Sequence, residues 1–257
     1  MLEFFKRRRR PEIRERAFPP AWLAIIEKNV PYYRLLPPED QEELRGHVQV
    51  FLEEKSFEGC GGLELTDEIR VTIAAQACVL LLHRETDDFP DLESILVYPS
   101  TYVVQSRHAV GGGVVIEGPE ARLGESWLHG EVVLAWDSVL SGAADARDGH
   151  NVVFHEFAHQ LDQENGGADG APTLPRRSMY TAWVRVLGAD FEQLVKETAH
   201  HHASDIDAYG ATNPAEFFAV VTELFFERPR QLLHKHPALY EQMRLFYQQD
   251  PAARLEA

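Results

Sequence analysis

The sequence predicts an α+β fold, with a helical subdomain over residues 19–88 followed by a small sheet packed against helices over residues 89–257. Three observations predict it. Apolar residues recur at i, i+4 spacing through the first third of the chain. Short β-rich runs, separated by Gly and Pro, occupy residues 95–136. Helical periodicity then returns from about residue 149.

Residues 1–18 are set apart by charge. Seven basic residues (Lys6, Arg7–Arg10, Arg14, Arg16) stand against Glu3, Glu12 and Glu15, and Pro19-Pro20 closes the stretch. A solvated flexible tail is the expectation, with contact to an anionic membrane surface or a partner as the alternative. Residues 21–30 read as a short helix stopped by Pro31. Pro37-Pro38-Glu39-Asp40 opens another, with Leu44, Val48 and Leu52 along one face. Phe57 to Leu65 reads as a loop broken by Gly59, Gly61 and Gly62. Thr66-Asp67-Glu68 then supplies a cap and acidic first-turn residues to a helix whose buried stripe is Ile69, Ile73, Ala77 and Leu81.

Ile95–Tyr98, Tyr102–Val104, Val114–Ile116 and Val132–Trp136 are the strand candidates, and a mostly antiparallel sheet is expected. Helices follow at about 149–163, 176–199, 214–227 and 236–248. No internal repeat is present.

Composition narrows the classes. The chain is 44% hydrophobic and 26% charged over 257 residues, which excludes collagen-like and low-complexity chains for its bulk. No apolar run approaches the ~20 residues of a membrane span. Cys60 and Cys78 cannot form a disulfide framework, and no secretory signal is read at the start, so a reducing, cytoplasmic setting is expected. The net charge of −16 becomes more negative once the basic first residues are set aside, which argues against direct nucleic-acid binding.

The chemistry concentrates in Asn151–Asp162, which contains His155-Glu156-x-x-His159. Residues four apart on a helix lie about 40° apart on one face, so both imidazoles can reach one zinc ion. Glu156 follows the first ligand and is placed to take a proton from an activated water. Apolar neighbours surround the motif, and a buried helix has no structural need for His-Glu-His there.

Zinc needs a third protein ligand. One peptidase pattern places a Gly three residues after the second His and a His or Asp six after it. Asp162 and Asn165 stand there instead. A Glu from a later helix is the alternative, and Asn213-Pro214-Ala215-Glu216 opens one. Glu216 is then either a ligand or only the acid of a capping box. Glu223 shares its face but lies about 10 Å further along the axis, so it reads as a carboxylate supporting the ligands or as a surface group. Asp162, seven residues after His155, lies on the metal face too far along to bind, and reads as a supporting acceptor or a helix-end contact.

These stretches, together with Phe51-Leu52-x-x-Lys55, Gly62-Leu63-Glu64-Leu65, Ile95–Pro99, Asn165-Gly166, Asp207-Ala208-Tyr209, Pro214–Val220 and Phe246–Pro251, resemble the glucose-regulated metallopeptidase family over most of the chain. That family is in turn similar to the anthrax lethal factor catalytic domain around its zinc. The resemblance implies a zincin-like domain over residues 89–257 and one Zn2+ per chain held by His155, His159 and Glu216. It implies that Tyr209, seven residues before Glu216, donates to the oxyanion of the tetrahedral intermediate. It implies an aminopeptidase-type activity on peptides, and binding of a Mlc-like glucose-responsive transcriptional repressor as either an added or the principal role. A monomer is expected. The zincin resemblance also implies that a strand around Val132–Trp136 borders the cleft and binds an extended peptide.

Other clusters read as structural. His200-His201-His202 closes a helix, where histidines complement its dipole. His150 has no spacing argument, Gly111–Gly113 lacks a phosphate-loop signature, no Gly-x-Ser-x-Gly elbow is present, and Cys78 reads as core.

Overall fold

The computed structural model describes residues 2–84, 88–100, 102–110, 114–122, 124–127 and 130–254. Gly111–Gly113 lies outside them. The helices are α1 (Leu2–Arg14), α2 (Pro20–Asn29), α3 (Pro38–Glu54), α4 (Asp67–Val79), α5 (Trp136–Ala144), α6 (Val152–Gln163), α7 (Tyr180–Ala199), α8 (Pro214–Glu227), α9 (Pro229–Lys235), α10 (Pro237–Tyr247) and α11 (Pro251–Arg254). The strands are β1 (Ser56–Gly59), β2 (Ser94–Tyr98), β3 (Tyr102–Val110), β4 (Val114–Arg122), β5 (Gly124–Trp127) and β6 (Glu131–Ala135). The fold is α+β and mostly helical.

Proline opens many of these helices. Pro20, Pro38, Pro214, Pro229 and Pro237 each sit in the first turn, where a missing N–H costs nothing. Helix α4 starts instead on Thr66, whose hydroxyl accepts from the Ile69 N–H at 3.3 Å.

The sheet corrects the expectation of a mostly antiparallel arrangement. Its order is β1-β2-β6-β5, with β1–β2 and β2–β6 parallel and β5–β6 antiparallel. The two parallel pairs use long crossovers, α4 between β1 and β2 and the separate antiparallel ribbon β3–β4 between β2 and β6. In β6, Val132, Val133, Leu134 and Ala135 are all buried, as befits a strand covered on both faces. Because β6 is interior, it cannot take another strand. The edge on that side is β5, not Val132–Trp136. Ser56–Gly59, expected within a loop, is itself a strand, so the first third of the chain is not purely helical.

The expected flexible tail is also corrected. Residues 2–14 form α1, which docks on α3. Ile13 is buried, and Arg10 donates two hydrogen bonds to Glu54 at 2.7 and 2.8 Å. Arg14 reaches Asp88 at 3.1 Å and Arg9 reaches Glu53 at 3.0 Å. The basic run looks unbalanced in sequence because its acidic partners lie more than 35 residues away.

One continuous hydrophobic cluster joins both halves of the chain. Phe157 of α6 packs on Phe51 and Phe89, Phe154 packs on Tyr32 and Phe226, and Phe218 of α8 packs on Trp183 and Phe246. Burying each such side chain contributes roughly 1.5–3 kcal/mol. This packing holds α6 between α4 and α8 and fixes the site. Among the described residues no helix is long and apolar enough to cross a membrane.

Candidate metal centre

Helix α6 is fastened to α8 at both ends. At its start, Asn151 caps the helix, accepting from the N–H groups of Val153 and Phe154 at 3.1 and 3.0 Å. Its side-chain amide donates to Glu227 at 3.1 Å and to Gln76 of α4 at 3.0 Å. The preceding turn points the Gly149 and His150 N–H groups at the other Glu227 oxygen, at 3.0 and 3.1 Å. Gly149 makes that turn with φ +81, and a Cβ there would stand 3.0 Å from a Leu224 methyl. Burial raises the Glu227 carboxyl to about 9, against the lowering effect of the Asn151 hydrogen bond.

At the other end of α6, Asp162 is fully buried and accepts from the Gly170 N–H at 2.8 Å. Gly170, with φ +74, packs so tightly on the first residue of α8 that a Cβ would come within 2.4 Å of the Pro214 carbonyl oxygen. Trp183 adds a hydrogen bond to the Gly170 carbonyl at 2.9 Å. Asp162 therefore makes a helix-end contact, and burial raises its carboxyl.

Between these two clamps the motif residues meet Glu216. His155 Nε2 lies 3.0 Å from Glu216 Oε2, His159 Nε2 lies 3.3 Å from the same oxygen, and the two Nε2 atoms are 3.3 Å apart. The His155, His159 and Glu216 side chains are 12%, 11% and 18% exposed, so the group opens toward solvent on one side. Asn213 Oδ1 accepts from the Glu216 N–H at 3.0 Å, so that half of the capping box forms. The Glu216 carboxylate turns to the histidines instead of back to the cap.

The donor set fits a divalent cation. Ligands at ~2.0–2.1 Å from a tetrahedral ion stand roughly 3.3 Å from one another, which matches all three separations. Chemistry points the same way. Glu223 Oε1 lies 2.8 Å from His155 Nδ1, and its other oxygen accepts from the Asn151 N–H at 2.5 Å. A carboxylate at that distance holds the proton on Nδ1 and leaves the Nε2 lone pair facing Glu216 and His159. Three lone-pair donors so close repel one another unless a cation or proton lies between them. A proton alone meets part of that demand. Burial works against charge on His155, yet its contacts with Glu216 and Glu223 raise it well above the ordinary value. Glu216 is lowered to about 2, the two histidine contacts overcoming burial.

Glu156 is 5% exposed and does not join the ligand group. Burial raises its carboxyl, opposed by the two histidines. Tyr209 stands in a 3-10 turn (Ala208–Ala211) capped by Asp207, which accepts from the Tyr209 N–H at 2.7 Å. Its ring lies 5.9 Å from the His155 ring and is 55% exposed, so it overhangs the site from the solvent side instead of packing in the core.

Sequence reading missed Glu227, Asn151 and Gln76 as parts of this site. The available signal was Glu223 and Glu227 at i, i+4 spacing on the strongly apolar α8, where unpaired acids are costly. Of the remaining histidines, His200 bonds the Lys196 carbonyl at the end of α7, while His150, His201 and His202 line a neighbouring cleft. Cys78 is buried in the core.

The family model described as glucose-regulated metallo-peptidase M90 matches residues 4–248. The chain is 43% identical over 244 residues to an uncharacterized protein of Synechocystis, covering 95% of this chain and 89% of that one. It is 38% identical over 230 residues to Mlc titration factor A of Serratia proteamaculans, covering 86% of each. The same factor from Klebsiella pneumoniae is 35% identical over 229 residues, covering 88% of this chain and 85% of that one.

Proposed function

The chain belongs to the glucose-regulated metallo-peptidase family, and from that premise we propose that it is a zinc-dependent, aminopeptidase-type peptidase with a zincin-like site. The family implies a metal. The observation that carries zinc at this position is the convergence of His155 Nε2, His159 Nε2 and Glu216 Oε2 at tetrahedral-edge distances, with His155 Nδ1 committed to Glu223. When bound, the ion supplies Lewis-acid polarisation of a carbonyl and lowers the pKa of water.

The chain's own residues do the rest. Glu156 takes the proton of the attacking water and passes it to the leaving amine. Tyr209, reaching in from the exposed side, donates its phenolic hydrogen to the carbonyl oxygen as negative charge develops there. Glu223 keeps the His155 ring from rotating. An extended peptide adds along β5, which is one of the two edge strands of the sheet among the described residues and lies beside α6.

The names of the relatives favour a second role. Several are Mlc titration factor A, and we propose that this chain also binds an Mlc-like transcriptional repressor, with catalysis secondary or latent as the alternative balance. The test is hydrolysis of aminoacyl and N-blocked chromogenic peptides by zinc-loaded protein, with Glu156→Gln as control. Cleavage lost in a variant that retains zinc supports the peptidase. No cleavage by zinc-loaded wild type removes it and leaves the repressor-binding role, which a pull-down with wild type and Glu156→Gln then examines.

A further inference from the structure

The candidate ligands belong to two facing files of polar residues. Asn151, His155 and His159 follow one another at four-residue steps from the cap of α6 into the helix, about 6 Å apart along its axis. Glu216, Glu223 and Glu227 of α8 are spaced by seven and four residues and share one face to within about 40°. The files run in opposite directions and meet in three rungs. His159 and His155 meet Glu216 at 3.3 and 3.0 Å, His155 meets Glu223 at 2.8 Å, and Asn151 meets Glu227 at 3.1 Å. The first rung is the proposed metal site and the second orients one of its histidines. The third holds no candidate ligand, yet both of its residues are deeply buried.

Glu227 Oε1 accepts from the Asn151 amide, and Oε2 accepts from the Gly149 and His150 N–H groups. Asp148 hydrogen-bonds the same carboxyl, so a proton lies between the two acids. The Asn151 amide cannot turn over, because its oxygen caps Val153 and Phe154 while its nitrogen also donates to Gln76. A buried pair bonded in this way fixes position along the helix axis, as buried polar groups do where they specify register. The apolar packing around it does not supply that direction. The Phe154 and Phe226 rings press the helices together, but burial of apolar surface is non-directional. A slip of one residue moves α6 by roughly 1.5 Å, whereas metal–ligand distances tolerate only about 0.2 Å.

We propose that Asn151 and Glu227 are positioning residues for the metal centre, their bond setting the register of α6 against α8 and with it the spacing of His155, His159 and Glu216. The inference rests on the reading of those three residues as metal ligands.

The bond has a donor side and an acceptor side, so it can be tested by exchanging them. Glu227→Gln sets an amide opposite the Asn151 amide, and two donors then face each other. Adding Asn151→Asp keeps the capping oxygen and restores the bond in reverse, with the new glutamine donating to the new carboxylate and still accepting from the Gly149 and His150 N–H groups. Chelator competition measures zinc affinity in wild type, both single variants and the double variant, and the melting temperature of each zinc-free form is read alongside. Glu227→Gln is expected to weaken zinc binding about tenfold or more, and the double variant to return to within about threefold of wild type.

A pair that only stabilises the fold lowers the zinc-free melting temperature and leaves the affinity unchanged, which overturns the proposal. A double variant that binds no tighter than Glu227→Gln overturns it too. So does a rescue matched by the same gain in Asn151→Asp alone, which is an effect of the added charge. If Glu227→Gln does not fold, the double variant decides. Near wild-type affinity then supports the register role, and an unfolded or weakly binding double variant overturns it. A wild type that binds no zinc removes the metal reading and this inference with it, whereas equal affinity in all four proteins removes the register role alone.

Discussion

Glu223 grips His155 through Nδ1 at 2.8 Å while its second oxygen holds the Asn151 N–H at the head of the same helix. One carboxylate thus sets both the rotation of a candidate ligand and the position of the helix that carries it. Glu223→Gln keeps an acceptor for Nδ1 but turns an amide toward the Asn151 N–H, where two donors then face each other. Zinc affinity is expected to fall about 10–100-fold while the circular dichroism stays native. Chelator competition measures it, and unchanged affinity removes this role from Glu223.

Tyr209 is more than half exposed, so its ring adds little to the core. Tyr209→Phe is expected to lower kcat by about 10²–10³ and to leave zinc content and melting temperature unchanged. A variant with normal kcat would show that the ring only lines the site.

Gly170 joins the end of α6 to the start of α8, with φ +74 and no room for a Cβ beside the Pro214 carbonyl. Gly170→Ala is expected to cost about 1–3 kcal/mol. Because Glu216 lies two residues beyond Pro214, zinc binding is expected to weaken along with the melting temperature. Chemical denaturation and chelator competition on the same variant check both.

A separate pH dependence comes from the ion pair that holds α1 and α3 to Asp88. His47 Nδ1 lies 2.5 Å from Asp88, with Arg14 and Arg10 at 3.1 and 3.6 Å. Burial lowers His47, but its contacts with Asp88 and Glu43 outweigh it and leave the pKa raised. Asp88 is lowered despite burial, chiefly by His47. A raised histidine contributes its full stability below its unfolded value of 6.5 and loses it as pH rises through the folded value. A lowered aspartate contributes above its unfolded value of 3.8 and loses it as pH falls through the folded one. The pair is therefore strongest between those two unfolded values. His47→Gln is expected to cost about 3 kcal/mol there, and less as pH rises through the raised histidine value. Melting temperatures of both proteins across that range test it, and a constant difference contradicts it.

The site was more legible than the sheet. His155, Glu156 and His159 announced themselves because their spacing repeats the helix period. Glu216 stayed ambiguous on pattern alone, since Asn213-x-x-Glu216 is also a cap, and the family resemblance favoured ligation. In the structure the cap and the histidine contacts coexist, because the Glu216 N–H and its carboxylate are used separately. The role of Glu227 was hidden because it binds backbone N–H groups, which no side-chain motif encodes. Strand direction was hidden for a similar reason. Ser56–Gly59 is too short and polar to declare itself, and only its pairing with β2 makes it a strand. The docking of α1 depends on ion pairs distant in sequence, so charge count alone suggested a tail.

The most direct measurement is zinc K-edge absorption spectroscopy on wild type and Glu216→Gln, with metal content determined on the same samples. The account predicts one zinc per chain in wild type, two imidazoles and oxygen ligands at ~2.0–2.1 Å, and a marked loss of bound metal in the variant. A wild type that retains no zinc, a site with more than two imidazoles, or a Glu216→Gln variant with an unchanged spectrum would contradict it.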